Sequence, residues 1–223
     1  MSKNFAAIAL PARAIFIAVL FLFVSNAKAQ TSEERLFEAI EEGKPLVAEG
    51  IVARGKVDLN ARNKEQETPL HRAIEKGFKE LAAMLVKAGA RVDARSANSE
   101  TPLHAAALHA DTWFVNLLLD ARADPKLRND DGESPLQWAV MTGNPQTARR
   151  LLERGADPKA TDLKGNTLLH AAADGGYVEM VSAFLDLGVD PRHRNRAGKR
   201  AIQVARERGY PEIVKLLERF EKD

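Results

Sequence analysis

One four-residue motif returns along this chain at a fixed interval. Thr68-Pro69-Leu70-His71 is followed 33 residues later by Thr101-Pro102-Leu103-His104. Ser134-Pro135-Leu136-Gln137, Thr167-Leu168-Leu169-His170 and Arg200-Ala201-Ile202-Gln203 keep the same spacing. Two further sets move in step: Gly77, Ala110, Gly143, Gly176 and Gly209, then Gly89, Arg122, Gly155 and Gly188. Three independent sets locked to one period mark a chain of stacked supersecondary units.

Within a unit the residue order dictates a helix pair. Thr can cap orphan amides, and Pro fits the first helical turn, where its missing N–H costs nothing. Leu70, Ala73 and Ile74 are spaced for one buried face, and Gly77 interrupts the pattern where a first helix should end. Leu81, Met84, Leu85 and Val86 supply a second apolar stripe, closed by Gly89 as a left-handed cap. Arg91 to Asn98 then forms the turn into the next unit. One such unit cannot bury its own apolar face, so its neighbours must do so.

The tiles TPLHAAAL, LLERGADPKATD and GNTLLHAAADGGYVEMV resemble the consensus of the ankyrin repeat family, over about Glu34 to Phe220. The resemblance implies an all-α solenoid of stacked helix pairs with hairpin-like turns, about six units including caps. Their approximate bounds are 30–59, 60–92, 93–125, 126–158, 159–191 and 192–223. The first unit lacks Thr-Pro and carries acidic Glu33, Glu34, Glu38, Glu41 and Glu42, as suits an end cap. In the last, Lys215, Glu218 and Arg219 interleave with Val214, Leu216 and Leu217 to give a solvated outer face. Arg122 in a glycine place, Ala110 in another and Arg200-Ala201 for Thr-Pro depart from the pattern. Two of them fall in unit 93–125, which is expected to be less well ordered than its neighbours.

The first 29 residues read differently. Lys3 and Arg13 precede the apolar run AIFIAVLFLFV, and polar Ser25-Asn26 and small Ala27-Lys28-Ala29 follow. That is the layout of a secretory signal peptide cleaved after Ala29. The 11-residue apolar core is short for a bilayer span, which needs about 20 residues. The expected destination is the periplasm or beyond, with no membrane span after cleavage. The whole chain has a formal charge of +2; without its three leading bases, 30 bases face 31 acids, net −1. A chain so balanced is not built for nucleic acid. With no cysteine, thiol nucleophiles, thiolate metal sites and disulfides are excluded.

Catalytic templates are absent. No nucleophile elbow, phosphate-cradling loop, HExxH or calcium-loop spacing occurs, so neither an enzyme nor a cofactor is expected. His71, His104 and His170 recur at the period, whereas an active site would need only one of them. The family resemblance gives this histidine a structural role, hydrogen-bonding backbone between neighbouring turns. Successive copies would stand about 10 Å apart, too far to share a metal. Asp93, Asp124, Asp157 and Asp190 also recur, at turns where Asp can bond its own backbone.

The resemblance implies a partner protein docked on the concave face made by turn tips and first helices. At the aligned positions there, Leu108, Trp138 and Met141 stand as apolar exceptions. Such residues suit an interface centre. Glu75, His109, Asp174 and Arg128 would orient the partner around them. Trp113 either extends this patch or repairs the seam beside Arg122. Arg192, His193, Arg194, Arg196, Lys199 and Arg200 form a basic final turn, read first as a solvated face. The expected protein is a monomeric, non-catalytic binder. Small exported bacterial proteins of similar sequence offer two roles, stress protection beside catalase and immunity against a secreted toxin. A structural tether of envelope components is a third. The small mature charge favours protection over toxin neutralisation.

Overall fold

A computed structural model describes residues 30–221; the leader read at residues 1–29 lies outside them. The described residues form six helix pairs. They are α1 Ser32–Glu41 with α2 Pro45–Ala53, α3 Pro69–Glu75 with α4 Lys79–Lys87, and α5 Pro102–Ala107 with α6 Trp113–Asp120. The remaining three are α7 Pro135–Met141 with α8 Pro145–Glu153, α9 Leu168–Gly175 with α10 Val178–Asp186, and α11 Ala201–Arg208 with α12 Pro211–Glu221. The first helix of each pair packs on the first helix of the next, and most second helices stack likewise. The chain is an all-α solenoid of about six units, with hairpin-like turns projecting between them.

The columns that repeat in sequence are the columns that are buried. Leu70, Leu103, Leu136, Leu169 and Ile202 occupy one position of the inner helices and are all at most 1% exposed. Leu85, Leu118, Leu151, Phe184 and Leu217 form the matching column of the outer helices. Burying one such side chain stabilises by about 1.5–3 kcal/mol. Each column is closed only by adjacent units, so stability is shared along the stack.

The motif histidine is the joint between units. In His71, His104 and His170 the Nδ1 atom accepts the backbone N–H of the helix-capping threonine at 3.2, 3.0 and 3.3 Å. An N–H can only donate, so the proton sits on Nε2. That atom donates to a carbonyl of the following unit: Glu100 O at 3.2 Å, Glu133 O at 3.1 Å and Lys199 O at 2.9 Å. Burial lowers the pKa of all three, that of His104 to about 4. The aspartates divide. Asp124, Asp157 and Asp190 accept the N–H two residues on, whereas Asp93 reaches forward to the N–H of Asp124 at 3.0 Å.

Unit 93–125 shows what its departures cost. Gly77, Gly143, Gly176 and Gly209 turn the chain between helices at φ from 67° to 80°. Ala110 has no such φ; α5 stops at Ala107 and α6 begins only at Trp113. The equivalent outer helices of the last two units start at Val178 and Pro211, one register position earlier. Arg122, by contrast, does adopt its glycine's conformation, at φ 67°. Trp113 sits at the seam with unit 60–92: Lys79 lies 5.7 Å over its ring and pairs with Asp111 at 2.8 Å. It mends the joint on the outer layer.

Two measurements follow from these joints. Arg122→Gly removes a left-handed arginine that costs about 1 kcal/mol, so the melting temperature should rise by about 3 °C; no rise would mean the turn is unstrained. His104→Gln should cost about 1–2 kcal/mol at pH 7.5. The unfolded histidine takes up a proton near pH 6.5, while the native ring resists down to about pH 4. The stability that His104 contributes is therefore complete above pH 6.5 and is lost as pH falls through that window. The gap between wild type and His104→Gln, followed by urea denaturation, should narrow accordingly. A gap independent of pH would mean that the native ring takes up its proton as readily as the unfolded one.

Candidate partner-binding face

The turns owe their shape to a second periodic set. Asn63, Ser96, Asn129, Asp162 and Asn195 each donate a backbone N–H to the carbonyl four residues on, at 2.9–3.1 Å. Their side chains accept the N–H of that same residue, at 2.7–3.2 Å. Each tip is thereby closed into a hairpin. Neighbouring hairpins are joined by single bonds: Ala97 N–H to Glu65 O, Asp130 to Asn98, Leu163 to Asp131 and Arg196 to Lys164, at 2.8–3.0 Å. Arg62, Arg95 and Arg128 add a ladder, each guanidinium donating to a carbonyl of the next hairpin. Arg128, expected to orient a partner, thus spends one donor on Thr161 O at 2.8 Å while staying exposed.

Below the hairpins lie the inner helices, and here the sites read from sequence separate. Leu108 and Met141 hold equivalent places on adjacent units and are each 53% exposed. Trp138 is half-buried: its ring stands edge-on to His104 at 5.3 Å, and its Nε1 donates to Glu133 at 2.7 Å. Part of this tryptophan therefore completes the interior. His109 packs against Phe114 of α6, centroids 4.8 Å apart, at the corner between inner and outer helices. Glu75 belongs to a network in which Arg72 donates to Glu41 at 2.7 and 3.0 Å and also contacts Glu75. Its carboxyl is pushed up to about 7, first by burial and then by the charge of Glu67. The charge of the nearby Arg72 opposes these without outweighing them.

Asp174 and Met141 share a groove of about 350 Å³ between α7, α9, α11 and the hairpin below them. Its lining includes Glu133, Gln137, Asp162, Lys164, Ala171, Gly175 and Val204. Asp174 also pairs with Arg208 at 2.7 Å across the rim. Gln137 takes the histidine place. Its Nε2 reaches Asn166 O at 3.5 Å, and its Oε1, fully buried, has no donor among the described residues. A buried acceptor without a donor costs about 1–3 kcal/mol. Among the described residues no group of three or more His, Asp or Glu side chains is placed to hold a metal. None of their helices is long and apolar enough to cross a membrane.

The hairpin residues and the groove were not among the sites read from sequence. For the hairpins the signal was present: positions 63, 96, 129, 162 and 195 keep the 33-residue period, as do Glu67, Glu100 and Glu133. In one unit acid and amide trade places, so that Asn166 donates to Asp162 at 2.8 Å. That swap hides the pattern from identity matching while preserving its chemistry. The groove had no periodic signal: it opens beside Ala171, where the adjacent units carry the larger Trp138 and Val204.

Comparison with known proteins agrees with this architecture. A family model for ankyrin repeats (three copies) matches residues 18–129, 92–162 and 136–222. Among solved structures, the ankyrin repeat domain of Bcl-3, described as a unique member of the IkappaB protein family, is similar at 31% identity and TM-score 0.71. That match covers 83% of this chain and 85% of the other. EF0377, an ankyrin repeat protein, is similar at 25% identity and TM-score 0.74, over 83% and 97% of the two chains. No curated protein sequence matches. With the family's repeats matched over most of its length and its helix pairs stacked as theirs are, the chain belongs to the ankyrin repeat family.

Proposed function

We propose that the chain is a non-catalytic binding module that recognises another protein through its concave face. The observation that carries this reading is the pair Leu108 and Met141. They lie at the ends of adjacent inner helices, more than half exposed. The stack closes without them, because the buried columns of those helices are filled by Leu103, Ala107, Leu136 and Val140. Trp138, one helical turn before Met141, is only partly buried, and an aromatic body with a hydrogen-bonded tip is suited to an interface. A hairpin row tied by backbone bonds and arginines holds this surface in one shape, so little ordering cost accompanies docking.

An apolar centre rimmed by mixed charge fits a protective or assembly contact better than neutralisation of one strongly charged toxin. The signal layout of residues 1–29 puts this work outside the cytoplasm.

Two tests separate these parts. In affinity capture from envelope extract, the wild type should retain a protein that a Leu108→Asp/Met141→Asp variant loses, affinity falling at least tenfold. Both positions are exposed, so the variant should stay within about 0.5 kcal/mol of wild-type stability. Retention of the same partner by the folded variant would move the site away from this face. Mass spectrometry of the protein from fractionated cells should find Gln30 as its first residue, outside the cytoplasm. An intact Met1 or Ser2 terminus in the cytosol would overturn the location and leave the binding reading standing.

A further inference from the structure

The groove beside Met141 joins an apolar lip to a buried acceptor that has no donor among the described residues. Its polar lining is dominated by acceptors. Glu133, Asp162 and Asp174 contribute three carboxylates against the single ammonium of Lys164, a balance of −2. The buried Oε1 of Gln137 adds an acceptor with no donor. His170, the one ring in the lining, donates its Nε2 proton to Lys199 O at 2.9 Å and is kept neutral by burial. The remaining walls are aliphatic: Met141 on one side, Val204 on the other, and the small Ala171 between them.

Aliphatic walls leading to scattered acceptors describe the complement of one kind of side chain. A long stem lies along Met141, Ala171 and Val204, and a donor-only head group meets the acceptors. The head must face Glu133 and Gln137 on the inner helix side, Asp162 on the hairpin and Asp174 at the end of α9. A planar guanidinium with five N–H groups in a fixed fork reaches acceptors in several directions; a compact ammonium serves them less well. The protein supplies its own precedent at the rim, where the Arg208 guanidinium donates to Asp174 at 2.7 Å. Glu133 links the groove to the apolar patch, because the carboxylate that lines it also holds the Trp138 indole.

We propose that this groove is the specificity pocket of the concave face and receives an arginine side chain from an extended segment of the partner protein, with a neighbouring apolar residue seated on Leu108, Trp138 and Met141. The assignment rests on the concave-face reading above and goes further by naming the partner's chemistry. Gln137 takes part because it departs from the repeat: a histidine there would satisfy itself between Ser134 and Asn166, as its equivalents do, and offer nothing to a guest.

The test begins with a display library of random twelve-residue peptides panned on the protein purified from cells expressing the full chain. Enriched peptides, synthesised with a fluorophore, are then titrated by anisotropy. They should carry an arginine within a few residues of a large apolar residue, and its replacement by citrulline should weaken binding at least tenfold. Gln137→His should raise the melting temperature and yet weaken the same peptides about fivefold. A residue with only a structural role would move both in one direction. Asp174→Asn should weaken them several-fold. Lysine in place of arginine at undiminished affinity would overturn the guanidinium assignment. Enriched peptides without a basic residue, bound equally by wild type and Gln137→His but lost on Leu108→Asp/Met141→Asp, would overturn the pocket and leave the concave-face reading intact. Peptides indifferent to every variant, or no enrichment over an unrelated protein, would overturn both.

Discussion

A buried, neutral imidazole holds each of three inner helices to the unit that follows. His71, His104 and His170 accept the N–H that opens their own helix and donate to a carbonyl at the base of the next hairpin. One ring thus satisfies the N–H that opens its own helix and adds a second donor to the carbonyl that closes the next hairpin, across a unit boundary. The apolar columns supply most of the stabilisation, but apolar contact is not directional. The imidazole fixes register, and with it the place of every hairpin over its helix. Because both ring nitrogens are engaged, a second proton can enter only by opposing a backbone N–H. The joint is therefore sensitive to acid in a way that the columns are not.

The surface follows from that register. Hairpins joined by single bonds and by the Arg62, Arg95 and Arg128 ladder form a continuous roof. The inner helices form a floor whose residue at each step is free to vary, since packing uses other positions. Along one such row stand Glu75, Leu108, Met141, Asp174 and Glu207, and only the middle two are apolar. The acids at either end are engaged internally: Glu75 with Arg72, Asp174 with Arg208 and Glu207 with Lys199. The apolar part of the row therefore centres on units 93–125 and 126–158.

Periodic requirements of the fold were legible in the sequence because every unit must meet them. The Thr-Pro start, the glycines near φ 70° and the motif histidine recur for backbone reasons, and their roles could be assigned before any coordinates. The effect of Ala110 was legible only in part: a glycine was missing, but not that both flanking helices would shorten instead of straining. The non-periodic features were harder. Nothing in the sequence says that the Trp138 indole turns to Glu133, or that His109 turns inward to Phe114. Each follows from a side-chain choice made against local neighbours. Arg128 looked like a free charge when read alone, yet Arg62 and Arg95 at the same register already marked it as one rung of a ladder.

Gln137 shows how the two kinds of residue meet. A solenoid of identical units would be satisfied everywhere and would recognise nothing in particular. Recognition needs a unit that fails to satisfy itself, and the failure must lie where a guest can reach it. The glutamine keeps one of the histidine's two functions weakly, with Nε2 at 3.5 Å from Asn166 O. It leaves its other end without a donor inside a groove already rich in carboxylates. In the last unit Gln203 takes the same motif position but accepts the Arg200 N–H at 2.9 Å. Of the two glutamines in the motif place, only Gln137 thus keeps a buried amide oxygen without a donor. The small Ala171 of the following unit leaves the groove room for a guest, and Met141 gives it an apolar lip. Loss of local satisfaction, added space and an adjoining apolar patch converge on one place in the stack, which is what a binding site requires of a fold otherwise made of repetition.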